Sequence, residues 1–296
     1  MSDDDRTPNT PLTPLTGDPV DAARRYYDTS DVDAFYARIW GGEDIHTGIY
    51  AHEQEPVAAA SHRTIERAAD KIAERLARLG PECRILDLGS GYGGPTRYLA
   101  ERFGCRVVAL NISESQNEHH RRVNAERGLD GLIEVVTGSF QDIPFEDGHF
   151  DVVWSQEAFC HSGDRQGLLR EAVRVLAPRG DLVFTDLMAA EDTPPEALHR
   201  TIARLEVDAL ATPSFYRRRL TALGLARVDF DDRSEQLLTH YTRLTDETRR
   251  RATELGDVIS ADYLAGLMEN LPLWVDACRD GLLRWGIFHA RHAHAG

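Results

Sequence analysis

Asp87, Gly89, Gly91 and Gly94 fall in the run DLGSGYGG, between a strand-like segment and a helix-like one. The glycines match the GxGxxG spacing that brings a backbone close to a ligand at a helix N-terminus. Spacing alone does not name the ligand. Asp87 lies two residues before the first glycine, at the carboxyl end of the strand, where a ligand rests. A carboxylate there repels a pyrophosphate and suits a cationic amino group. S-adenosylmethionine carries both an ammonium and a sulfonium, so the run reads as its site rather than that of a nicotinamide cofactor. Gly89, Ser90 and Gly91 then approach the aminocarboxypropyl chain, because glycine adopts backbone angles closed to other residues. The helix that follows favours the chain's carboxylate at its N-terminus.

Three later segments extend the site. The second strand ends in Asn111 where an acid is usual, and Asn111, Ile112 and Gln116 are expected beside the ribose. Ser113 either joins them or caps the next helix. Ser139, Phe140 and Gln141, in GSFQDIPFEDGHFDVVW, are expected near the adenine. In WSQEAFCHSGD, Ser155 and Gln156 border the methionine part and His161 looks into the substrate space. An imidazole titrates in the range useful to a base acting on an alkylammonium. The substrate carboxylate would pair with Arg38, Arg204 or Arg217. The aromatic pool for a methylated ammonium includes Tyr26, Trp40, Phe159 and Tyr216. No metal is expected: His119, His120, His289, His292 and His294 lack ligand partners at helical spacing and read as solvated surface.

These residues need a frame that sets strand ends side by side. After a tail rich in Pro, Thr and Asp over 1–19, two short helices are expected up to Trp40, with Asp31 capping the second. A long amphipathic helix is expected over 54–79. From CRILDLGSGYGG onward, strands and helices alternate through GDLVFTDLM, the pattern of a doubly wound parallel α/β sheet. Helical insertions at about 190–222 and 234–283 flank a sixth strand, LARVDFDDR, and LRWGIFHARHA makes a seventh. The domains are therefore a disordered tail (1–19), an N-terminal helical lid (20–53) and the α/β domain (54–296).

The chain resembles the S-adenosylmethionine-dependent class I methyltransferases. More narrowly it is similar to the sarcosine/dimethylglycine N-methyltransferases of betaine synthesis. The segments FYARIWGGEDIHTGIY, ILDLGSGYGGPTRYLA, VVALNISESQNE, GSFQDIPFEDGHFDVVWSQEAFCHS, VDALATPSFYRRRL and WVDACRDGLLRWGIFHARH carry the likeness, over about residues 24–292. The resemblance implies a seven-stranded Rossmann-like sheet, S-adenosylmethionine as cofactor and a small amine such as sarcosine or N,N-dimethylglycine as substrate. It also implies a latch over the substrate formed by Tyr27 or Tyr36 with His161. On this view Trp40 to Tyr50 is a lid whose bends come at Gly41, Gly42 and Gly48, with Trp40 as a wall of the site or an anchor for the lid. An O- or C-methyltransferase acting on a natural product would share the fold and cofactor.

Composition bounds the rest. A net charge of -15 disfavours a nucleic-acid backbone as partner and fits a chain kept soluble in salt. No apolar run suggests a membrane span or a signal peptide, so a cytoplasmic monomer or homodimer is expected. Cys83, Cys105, Cys160 and Cys278 are widely spaced and read as buried, inert, reduced thiols.

Overall fold

The computed structural model describes residues 30–205 and 207–292. The expected tail, the first short helix, Tyr26, Tyr27 and His294 lie outside them. Near-continuous apolar runs mark the central strands, covered on both faces, while the two edge strands are largely half-buried or exposed. The strands are β1 (Arg84–Leu88), β2 (Arg106–Asn111), β3 (Ile133–Thr137), β4 (Phe150–Gln156), β5 (Leu176–Ala189), β6 (Leu225–Asp232) and β7 (Leu283–His292). The seven strands are ordered β3-β2-β1-β4-β5-β7-β6. β7 runs antiparallel to both β5 and β6, and the other pairs are parallel. The chain therefore reverses its direction of winding between β1 and β4, and the crevice beyond their carboxyl ends is where such a sheet binds ligands.

The first described helix, α1 (Ser30–Phe35), runs into a wide helical turn over Tyr36–Trp40. Asp31 lies within α1 rather than at its cap, and its carboxylate accepts from the Ser260 amide at 3.1 Å. The helix expected over 54–79 is two: α2 (Val57–Asp70) and α3 (Ala73–Leu79). Tight bonds from Lys71 N to Ala68 O and from Ile72 N to Ala69 O break it. The doubly wound half adds α4 (Gly94–Phe103), α5 (Glu114–Glu126) and α6 (Arg165–Arg174). Ser113 caps α5 by accepting from Gln116 N at 3.3 Å, and Asp164 caps α6.

The first insertion is α7 (Pro195–Ile202) and α8 (Pro213–Ala222); the second is α9 (Glu235–Arg250), α10 (Ala252–Gly256) and α11 (Ala261–Arg279). The apolar faces of α7, α9, α10 and α11 share one core with the lid, whereas Tyr216 and Leu220 of α8 pack with Leu182, Phe184 and Phe288 of the sheet. Val32, Phe35, Tyr36, Ile39 and Trp40 pack with Leu237, Tyr241, Leu244, Leu267, Leu271 and Trp274. The lid is thereby seated on the second insertion.

Two expectations at the base of the sheet are corrected. Cys83 and Cys105 precede strands whose register pairs Arg84 with Arg106, so they are cross-strand neighbours. Their Cα atoms lie 5.2 Å apart and the sulfurs are in bonding contact, whereas Cys160 and Cys278 are free. His120 and His289 are buried rather than solvated. His289 Nε2 lies 2.6 Å from the buried Asp181 carboxylate, which Arg75 and Arg291 also approach.

Candidate active site

At the carboxyl end of β1 the backbone turns sharply. Gly89 has φ +73°, and a Cβ there would collide with Ala158. This close approach lets the turn and the end of β4 line a single pocket. Its wall includes Gly89, Ser90, Gly91, Asn111, Ile112, Gln116, Ser139, Phe140, Gln141, Gln156 and His161, all expected from the sequence. Asn111 Nδ2 donates to Gln116 Oε1 at 3.1 Å and to Asn117 Oδ1 at 3.2 Å, which fixes the polar edge of the wall.

Other expected residues stand off the wall. Asp87 is buried behind the glycine turn and accepts from Thr96 Oγ1 at 2.6 Å. Burial pushes its carboxyl up to about 7. Ser155 donates to Leu88 O at 2.8 Å, tying β4 to β1. Phe159 packs against Phe184 in the core, with ring centroids 5.0 Å apart. Tyr216 is fully buried and donates to Asp186 at 2.5 Å. Tyr36 and Trp40 belong to the apolar core under the lid. Arg38 pairs with Glu254 at 2.9 Å on the surface, and Arg217 lies over the Phe230 ring. The apolar lid core claims Tyr36 and Trp40, and the aromatic core of the sheet claims Phe159 and Tyr216, because full burial of large side chains stabilises the fold.

The wall also contains residues that motif reading did not find: Glu43, Ile45, His46, Tyr92, Gly138, Glu157 and Ala158. Glu43, Ile45 and His46 come from the lid, which two clasps hold down. Glu43 pairs with Arg97 at 2.8 Å and Arg127 at 3.0 Å. Glu157 receives the Thr47 amide at 3.0 Å, the Thr47 hydroxyl at 3.1 Å and Trp285 Nε1 at 2.9 Å. Glu157 takes up a left-handed φ of 51° to do so, a conformation that strains a residue with a side chain. Burial pushes its carboxyl up to about 7, against the lowering effect of the Thr47 and Trp285 bonds. Trp40 Nε1 donates to His46 O at 3.0 Å, and Gly48 N donates to His240 Nδ1 at 3.2 Å. A local pattern marks none of these, because every clasp joins distant parts of the chain.

Three wall residues carry buried polar side-chain atoms with no protein partner: Ser90 Oγ, Gln156 Nε2 and both ring nitrogens of His46. Burial lowers the His46 imidazole to about 3, so the ring is neutral. Unsatisfied buried donors of this kind call for a ligand or ordered water. Among the described residues no Lys or Arg lines the cavity, while two glutamates do.

Residues 86–184 match the methyltransferase domain family model. The chain is 47% identical over 272 residues to the sarcosine/dimethylglycine N-methyltransferase of Halorhodospira halochloris, covering 92% of this chain and 96% of that one. It is equally close, at 47%, to the glycine/sarcosine/dimethylglycine N-methyltransferase of Actinopolyspora halophila, of which it spans 47%. A crystal structure of a Galdieria sulphuraria protein described as a sarcosine dimethylglycine methyltransferase superposes with a TM-score of 0.81 at 35% identity, over 89% of this chain and 98% of that one.

Proposed function

Because this chain belongs to the sarcosine/dimethylglycine N-methyltransferases, we propose that it methylates the amine nitrogen of sarcosine or N,N-dimethylglycine, using S-adenosylmethionine and ending at betaine. One observation carries the cofactor reading: the glycine turn and the end of β4 present buried, unpartnered donors beside two glutamates, with no cation among the described wall residues. These residues fit the zwitterionic end of an amino-acid cofactor. A diphosphate would find two glutamates there and, among the described wall residues, no Lys or Arg.

When bound, the cofactor supplies a methyl group activated by its sulfonium. Gly89, Ser90, Gly91 and Gln156 would hold the amino-acid end, Asn111, Ile112 and Gln116 the ribose, and Ser139, Phe140 and Gln141 the adenine. The protein's own contribution is to align two reacting centres and exclude water. The lid serves the second purpose, since Glu43, Ile45 and His46 close the cavity from above. Positive charge passes to the substrate nitrogen, and Glu157, whose carboxyl burial raises to about 7, is a wall group whose ionised form such a charge favours. An alkylammonium titrates near about 10, as lysine does, so the substrate must lose a proton before it attacks. His161, on the wall beyond β4, is the group we assign to accept it.

The test is a steady-state assay with sarcosine and with N,N-dimethylglycine as the methyl acceptor. Turnover of either is the expected result. Cofactor binding without turnover of either would overturn the substrate assignment and point to an O- or C-methyltransferase.

A further inference from the structure

We infer that His46 is a ligand-binding residue whose ring N–H donates a hydrogen bond to a carboxylate held in the cavity. The inference rests on the methyl-transfer reading of this site and adds to it a recognition element that the glycine turn does not contain.

The lid presents the ring on the wall, where it is 8% exposed, and neither nitrogen has a partner in the protein. That placement is enforced. The His46 carbonyl accepts from Trp40 Nε1 at 3.0 Å and from Ser61 Oγ at 2.7 Å. The next residue, Thr47, is bound through its amide and hydroxyl to Glu157. A buried imidazole fixed so firmly on the cavity wall, with both nitrogens unsatisfied, is placed to take its partner from whatever fills the cavity.

The character of the wall identifies that partner. The other unpartnered wall atoms are Ser90 Oγ and Gln156 Nε2, and both can donate. The wall's acids, Glu43 and Glu157, already accept from Arg97, Thr47 and Trp285. The group still to be satisfied is therefore an acceptor on the ligand. Of the arginines expected to meet a carboxylate, Arg38 is paired with Glu254 and Arg217 lies over Phe230, and the side chain of Arg204 is outside those the structure describes. A neutral imidazole, with one N–H, takes the place that an arginine would fill. The carboxylate is either that of the cofactor's aminocarboxypropyl chain or that of the amino-acid substrate.

The His46→Phe variant keeps the ring's bulk and removes its donor, and His46→Gln and His46→Asn restore a donor. Calorimetry would titrate each with S-adenosylhomocysteine, with 5′-methylthioadenosine, which lacks the amino-acid end, and with N,N-dimethylglycine on the S-adenosylhomocysteine complex. A lost bond to a charged group predicts about ten- to a hundredfold weaker binding. Weakening confined to S-adenosylhomocysteine, with methylthioadenosine unchanged, supports the inference with the cofactor as source. Weakening confined to dimethylglycine supports it with the substrate as source. In either case one amide variant recovers part of the loss. Unchanged affinities in His46→Phe, or equal weakening of both nucleosides, would overturn it. If wild-type protein binds S-adenosylhomocysteine but not dimethylglycine, the substrate assignment falls and the nucleoside pair still decides the role of His46.

Discussion

Asp87 and Glu157 are carboxyls that burial holds near neutrality, and they differ in what would ionise them. Beyond Thr96, Asp87 has only the glycine turn between it and the cavity, so a ligand ammonium there favours its ionised form. Cofactor binding is then expected to release a proton near neutral pH and to tighten as pH rises through about 7. Titration in buffers of different ionisation enthalpy measures the release, and Asp87→Asn should abolish it and weaken binding about tenfold or more. Glu157 is instead already used by the lid. Its carboxyl stands at 4.5 when free and about 7 when folded, so between these values the folded state binds the extra proton. The resulting stability is present below the free value and is lost as pH rises through the folded one. Asp186, raised by burial to about 6, acts in the same sense. Urea midpoints should therefore fall from about pH 5 to about pH 8, and Glu157→Gln should flatten that fall. The residues of the glycine turn and of the strand ends were legible because strand–helix alternation alone puts them at one edge of the sheet. Glu157 and His46 were not. The acid sits inside the quoted WSQEAF run, but its left-handed backbone and its bonds to Thr47 and Trp285 exist only in the folded chain.

At the scale of elements, the lid is a clasped strap rather than a loose hinge. Gly41 and Gly42 do turn the chain, with φ of 93° and 123°. Gly48 is different: it has no positive φ, and a Cβ there would lie 2.5 Å from the Ala60 Cβ. Its lack of a side chain lets the strap lie against α2, where Ile49 N donates to Ala60 O. Gly48→Ala is thus an overpacking change, expected to cost about 1–3 kcal/mol of stability and to weaken cofactor binding by lifting His46. Thermal melts and calorimetry on the same sample would separate the two effects. The aromatic residues of the strap were legible as a cluster but not by role. Trp40 and Tyr36 turn to the insertion helices, with Trp40 against His240 at 5.2 Å between ring centroids, because α9 and α11 offer an apolar face that only a tertiary structure reveals.

At the scale of the whole molecule, the sheet and the two insertions follow from the alternating pattern and its interruption after β5, whereas the antiparallel run of β7 departs from the parallel sheet expected, because strand direction is set by how the long second insertion returns the chain. The cysteine pair did not, since Cys83 and Cys105 become neighbours only through the register of β1 on β2. Alkylation of denatured, unreduced protein should label Cys160 and Cys278 alone, and prior reduction should expose the other pair. The methyl-transfer account depends on a ligand that brings an ammonium and a carboxylate to a wall whose described residues offer donors and acids but no cation. The most direct measurement incubates the protein with methyl-labelled S-adenosylmethionine and N,N-dimethylglycine and analyses the products by mass spectrometry. The account predicts label on the quaternary nitrogen of betaine, in step with S-adenosylhomocysteine. Protein that ignores S-adenosylmethionine yet binds NAD tightly would contradict it.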